Sequence, residues 1–120
     1  MSKVRRSIEL IGLDLEFFSE ENIIELIKVI EESIKNDLNR ILGLRTDEYT
    51  ITIGVEVNKE LRIAIDLDVK AYLSNKMNLH NILNKVINHA FDKTRIHLKQ
   101  LARKNKNGDP QIREHSHLNT

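Results

Sequence analysis

The chain lacks cysteine and tryptophan, and it has one proline and four glycines in 120 residues. Without cysteine there is no disulfide, no thiolate metal site and no cysteine nucleophile. Aromatic residues make up only 4%, so the core has to be built from Ile, Leu and Val. Long apolar runs are missing too. The densest stretch, Ile23-Ile24-Glu25-Leu26-Ile27-Lys28, is already broken by charge, which excludes a membrane-spanning helix. The opening segment MSKVRRSIELIGLDLEFF has a basic head but then takes Glu9, Asp14 and Glu16. A secretory signal does not tolerate those acids, and Arg5-Arg6 lacks the apolar region of a twin-arginine signal. The expectation is a cytoplasmic protein. No G-x-G-x-x-G, P-loop or G-x-S-x-G motif occurs, so the common phosphate-cradling and nucleophile-elbow chemistries have no foothold.

What is present is charge, unevenly placed. The net charge is only +1. Yet from Glu9 to Asp37 nine acids face only Lys28 and Lys35, and from Lys70 to Lys106 nine bases face only Asp92. Such asymmetry points to an electrostatically directed partner or to pairing between the two halves.

Two segments have helical periodicity. Ile23, Ile27, Ile30, Ile34, Leu38 and Ile41 recur at spacings of three and four, the signature of one buried helix face. Ser19 suits the N-cap, Glu20 and Glu21 suit the positive end of the dipole, and Phe18 with Ile23 has staple spacing. Gly43 suits a left-handed stop with Leu44 folding back. These signals predict a helix over about 20–42. A second stripe, Leu79, Ile82, Leu83, Val86, Ile87, Ala90, Phe91, Thr94, Leu98 and Leu101, predicts a helix that starts near Ser74, Asn75 or Asn78 and runs to Arg103 or Lys104. Gly108 and Pro110 then break it.

Between the helices, YTITIGVEVNKELRIAIDLDV (49–69) alternates apolar and polar side chains, turns once and alternates again. The side-chain period of a strand is two, so loop parity fixes the register. A two-residue loop would set Val57 against Glu60 and mismatch the whole ladder. A loop of Asn58-Lys59-Glu60 sets Val57 opposite Leu61, and hence Val55–Ile63, Ile53–Ile65, Ile51–Leu67 and Tyr49–Val69 on the buried face. Glu56–Arg62, Gly54–Ala64, Thr52–Asp66 and Thr50–Asp68 then share the outer face. The N-terminal Ile8, Leu10 and Ile11 suit either a short third strand or an arm laid on the core. The expected fold is therefore α+β, helix–strand–strand–helix, with two long helices on one face of an antiparallel hairpin. Residues 1–106 would form a single domain and 107–120 a flexible tail. Two strands are marginal alone and leave open edges, so a homodimer is expected.

Three groupings are candidates for chemistry. Asp66 and Asp68, at i and i+2 on the outer face, could hold a divalent cation, but no third ligand accompanies them. Glu114, His115 and His117 lie close together in the tail. His80, His89 and His97 do not have the i, i+4 spacing of a helical metal pair. The strongest grouping is KTRIHLKQLARKNKNG, which brings Lys93, Arg95, Lys99, Arg103, Lys104 and Lys106 together without an acid. A helical stripe of bases can track phosphates, and Lys3, Arg5 and Arg6 are possible additions. Bases at a helix C-terminus also complement its dipole, and no aromatic is interleaved to stack on bases.

The capped helix SEENIIELIKVIEESI, the alternating pair ITIGVEV and LRIAIDLDV, and the closing helix HNILNKVINHAFDKTRIHLKQLAR together resemble domain-of-unknown-function family 3194, a small archaeal family, over roughly residues 8–103. The resemblance implies an α+β fold and an archaeal cytosolic setting. It implies no activity and transfers no site residue. The leading expectation is a non-enzymatic module, without cofactor, metal or membrane, that binds RNA or an RNA–protein assembly through Lys93–Lys106. The alternatives are a protein–protein adaptor docking through the hairpin edge or the acidic first helix, and a metal-dependent enzyme using Asp66 and Asp68.

Overall fold

The computed structural model describes residues 2–11, 18–70, 78–104 and 111–117, with backbone alone at 2, 11, 102–104 and 111–117. The elements in chain order are β1 (Ser2–Ile11), α1 (Glu20–Leu42), a 3-10 turn (Thr46–Glu48), β2 (Tyr49–Val57), β3 (Leu61–Val69), α2 (Leu79–Lys104) and β4 (Gln111–His117). The strands form one antiparallel sheet in the order β2-β3-β1-β4. Each helix thus links two strands that flank a third: α1 leads from β1 to β2 with β3 between them, and α2 leads from β3 to β4 with β1 between them.

The α1 boundaries follow from local chemistry. The Ser19 Oγ accepts the Asn22 N–H at 3.2 Å, which satisfies one of the orphan donors of the first turn. At the other end Gly43 adopts φ 64, where a Cβ would be strained. Its N–H donates to Asn39 O at 2.9 Å, and the Leu44 N–H reaches back to Leu38 O at 3.2 Å, closing the helix as a Schellman stop. The hairpin has the register that loop parity demands, from Tyr49↔Val69 through Val57↔Leu61.

Two expectations need enlarging. The N-terminal arm is a full ten-residue strand, paired with β3 from Ser2↔Val69 to Leu10↔Leu61. Val4, Arg6, Ile8 and Leu10 point to the helix layer and are buried. Their alternation is hidden in the sequence because a cation occupies one inward slot. The flexible tail is corrected over 111–117: Gln111–His117 form β4, which pairs with β1 from Arg5↔His117 to Ile11↔Gln111. The backbone groups of β1 facing away from β3 are thereby paired, as buried N–H and C=O groups require.

The core lies between the helices and the inner sheet face. Leu26, Ile30, Ile34 and Leu38 from α1 meet Leu83, Val86, Ile87, Ala90, Phe91 and Leu98 from α2, over Ile63, Ile65 and Leu67 of β3. These side chains are buried, and each of them larger than Ala90 contributes about 1.5–3 kcal/mol by leaving water. Across the helix pair, His89 Nδ1 lies 2.6 Å from Asp37 Oδ2. Arg40 donates to the other Asp37 oxygen at 3.2 Å, so this buried carboxylate is bonded on both sides.

Candidate functional site

The basic end of α2 does not present one face. Lys93 and Lys99 are exposed, whereas Arg95 is half-buried and donates to Asp92. Lys93 borders a shallow recess with Val29, Ile96, His97 and Gln100, facing α1. Arg95 stands on the opposite flank, near enough to Arg6 for its charge to act there. At 100° per residue, Lys93 and Arg95 are 200° apart around the helix. The i, i+4 pair Arg95 and Lys99 shares a stripe with Arg103, whose backbone continues α2 together with Lys104. The side chains of Arg103 and Lys104, and all of Lys106, lie outside the described residues, as do the side chains of Glu114, His115 and His117.

The N-terminal bases do not extend the stripe. Arg6 is buried under the sheet. Its guanidinium donates to the Asn88 side-chain oxygen and, at 3.4 Å, to Asn84 O, and it sits 5.5 Å from the Phe91 ring centre. Burial first, and the Arg95 charge second, hold its pKa below the ordinary arginine value. Arg5 points to the opposite face, where its Nε donates to Asp66 Oδ1 at 2.6 Å. That bond raises the Arg5 pKa.

The outer sheet face is a grid set by the register. Its rows are Lys3–Asp68–Thr50, Arg5–Asp66–Thr52, Ser7–Ala64–Gly54 and Glu9–Arg62–Glu56. Opposite charges meet in three rows, and Arg62 lies 3.3 Å from Glu9. Among the described side chains of this face none is aromatic, and carboxylates outnumber bases. Asp66 and Asp68 share this face, but Arg5 engages the first and Lys3 stands opposite the second. Among the described residues no group of three or more metal-ligating side chains gathers.

The most distinctive surface is the outer edge of β2. On β3 the inward residues Leu61, Ile63, Ile65, Leu67 and Val69 are fully buried. Four of their five partners on β2, namely Ile51, Ile53, Val55 and Val57, are only partly buried, while the fifth, Tyr49, is buried. A groove of about 250 Å³ runs between this row and α1, lined by Ile27, Glu31, Lys35, Ile51 and Ile53. Ile24, one helical turn before Lys28 on the same flank, is 48% exposed. Glu31 and Lys35 form an i, i+4 ion pair at 2.6 Å, which raises the Lys35 pKa.

The ladder also shows what the edge offers. The Lys70 N–H donates to Glu48 O and the Asn58 N–H to Glu60 O, both in register with the β2–β3 ladder. Alternation in an antiparallel pair then turns the backbone of Thr50, Thr52, Gly54 and Glu56 toward β3. The N–H and C=O groups of Ile51, Ile53 and Val55 face outward. Sequence reading identified open hairpin edges but not which one has no neighbouring strand among the described residues. The signal was the pattern Val4-x-Arg6-x-Ile8-x-Leu10, which assigns the β3 edge to β1.

No helix among the described residues is long and apolar enough to cross a membrane. No family model and no curated protein matches the chain. The fold is similar to a crystal structure from Thermococcus onnurineus NA1, at 20% identity and TM-score 0.65, over 87% of this chain and 99% of that one. It is also similar to the solution NMR structure of the de novo designed protein LFR1 1 with ferredoxin fold, at 10% identity and TM-score 0.51, over 100% of this chain and 87% of that one. At these identities the likeness speaks to fold alone: an α+β, ferredoxin-like arrangement of helices over an antiparallel sheet.

Proposed function

We propose that the protein is a non-enzymatic interaction module that docks a protein partner along the free β2 edge and the adjoining flank of α1. One observation carries this reading: Ile53 is only partly buried while Ile65, directly opposite it, is fully buried. Sheets that end in solvent ordinarily blunt their edges with lysine, proline, a bulge or a short strand. β2 is nine residues long, contains neither lysine nor proline, and pairs without interruption. A strand laid against it gains main-chain hydrogen bonds, and its side chains extend the apolar row, as in β-augmentation. Kinship with family 3194 and an archaeal cytosolic setting belong to the same proposal. Capture from nuclease-treated cell extract tests it, comparing the natural chain with Ile53→Lys. Proteins held by the first and lost by the second support the reading. Identical captures by both, or capture abolished by nuclease, overturn it.

A second reading is nucleic-acid binding through Lys93, Arg95, Lys99, Arg103, Lys104 and Lys106. It is favoured by Lys93 and Lys99, which are exposed and make no ion pair among the described residues. A gel-shift titration with tRNA, ribosomal RNA fragments and duplex DNA at low salt tests it. Binding that weakens with salt and with Lys93→Ala plus Lys99→Ala supports this reading, by counterion release. No shift at low salt removes it.

A further inference from the structure

Resting on the docking reading above, we infer that the occupant of the β2 edge is the β2 edge of a second copy, paired antiparallel about a two-fold axis at Ile53. The argument begins with parity. The outward backbone groups belong to the odd-numbered residues of β2, so self-pairing must set odd residues opposite odd ones. Ile53 is the middle residue of Tyr49–Val57. A two-fold axis there uses the whole strand: Ile53 faces the partner's Ile53, Ile51 the partner's Val55, and Tyr49 the partner's Val57.

On the outer face the same axis sets Thr52 opposite the partner's Gly54 and Thr50 opposite the partner's Glu56. No two like charges meet, whereas an axis at Glu56 would oppose that carboxylate to its own copy, which is destabilising. The strand is therefore complementary to itself over its full length, with an isologous contact of the kind that closes a dimer. On the inner face the half-buried rows of the two copies become one continuous layer beneath the two α1 helices, and Ile24 and Ile27 of each copy flank the seam. The two sheets join into one with β4 at both ends. Nine residues of strand extend about 30 Å. With the α1 flank added, that contact is of the order of the roughly 800 Å² per partner found in stable complexes.

The absence of native cysteine makes the register testable. Thr52 and the partner's Gly54 would form a non-hydrogen-bonded pair, with Cα atoms about 4.5 Å apart, within the span a disulfide bridges. Both positions are exposed, and a side chain at Gly54 meets open space, so Thr52→Cys with Gly54→Cys should leave the fold intact. Under mild oxidation this doubly substituted protein is expected to become a covalent dimer. Thr52→Cys alone, whose copy sits two residues along the ladder, is expected to crosslink far less. Light scattering on the natural chain is expected to give twice the 14.0 kDa chain mass, and Ile53→Lys, with circular dichroism confirming its fold, the single mass. A single-chain mass for the natural protein at high concentration overturns the inference. So does a dimer that survives Ile53→Lys, or equal crosslinking by the single and double cysteine variants. If the natural chain is monomeric while Ile53→Lys still loses partners from extract, self-pairing fails and the docking reading stands.

Discussion

β2 and β3 are near twins in sequence, each nine residues of alternating apolar and polar side chains, yet they have different fates. Every inward residue of β3 is fully buried, because β3 lies between β2 and β1 beneath the helices. Four inward residues of β2 are only partly buried, because α1 covers the last strand only in part. Ile53 and Ile65 face each other across the ladder with the same side chain. The difference between them is position in the sheet, which an alternating pattern does not encode. Apolar surface left over by topology is where an assembly contact is most economically built.

The largest expected effect tests the shared register itself. Deleting Lys59 leaves a two-residue loop and inverts the parity of one strand, so the apolar row of β2 would face the polar row of β3. A one-residue slip moves an entire strand to the wrong face, and the expected result is loss of the cooperative thermal transition. A full-amplitude melt near the natural temperature would show that the core does not depend on this hairpin.

The matched isoleucines come next. Ile65→Ala opens a cavity in a closed core and is expected to cost about 3–4 kcal/mol, within the range for buried Ile truncation. Ile53→Ala removes the same atoms from a half-covered site and should cost about 1–2 kcal/mol in dilute protein by the same reasoning. Urea denaturation of the two variants measures both. Equal costs would mean that the β2 edge is covered in the isolated chain, which would break the comparison. A cost for Ile53→Ala that grows with protein concentration would tie the edge to assembly, because association stabilises by mass action.

Amide exchange reads the same contrast without mutation. Thr50, Thr52, Gly54 and Glu56 bond toward β3 and should exchange slowly. Ile51, Ile53 and Val55 face the edge and should exchange faster in dilute solution, gaining protection as concentration rises. β3 amides should be slow throughout, since core strands open only at high free-energy cost. Uniform protection along β2 at every concentration would contradict the ladder parity.

How much of this was legible in the sequence follows from which signals are local. The α1 caps were legible because Ser19 and Gly43 act within one turn. The hairpin register was legible because parity is a counting argument over three loop residues. β1 was half-legible: Arg6 occupies an inward slot, where Asn84, Asn88 and Phe91, far along the chain, help to make it tolerable. β4 was not legible, because QIREHSH has one aliphatic residue and its pairing with β1 is non-local. The basic stripe was legible as a run of charges. Its split between Lys93 and Arg95 depends on which side of α2 faces α1, and that is set by packing.

The smallest expected effect concerns the outer face, where β2 and β3 are alike. Arg62 stands between Glu9 of β1 and Glu56 of β2, so Arg62→Glu would place three carboxylates in one row. Cross-strand charge pairs contribute roughly 0.2–1 kcal/mol each, and Arg62 is half-exposed, so screening keeps the cost near 1 kcal/mol at most. The loss should shrink as salt rises past the roughly 0.1 M at which the screening length reaches 10 Å. Adding Glu9→Arg should recover part of it, and only part, because Glu56 still faces the new acid from the other side. Neither change touches the outward backbone of β2 or the apolar row beneath it. Both variants should therefore keep the oligomeric state of the natural chain, measured by light scattering at matched concentration. A change of mass with Arg62→Glu would mean that the outer face, rather than the free edge, carries the assembly contact, and the contrast between β2 and β3 would lose its functional meaning.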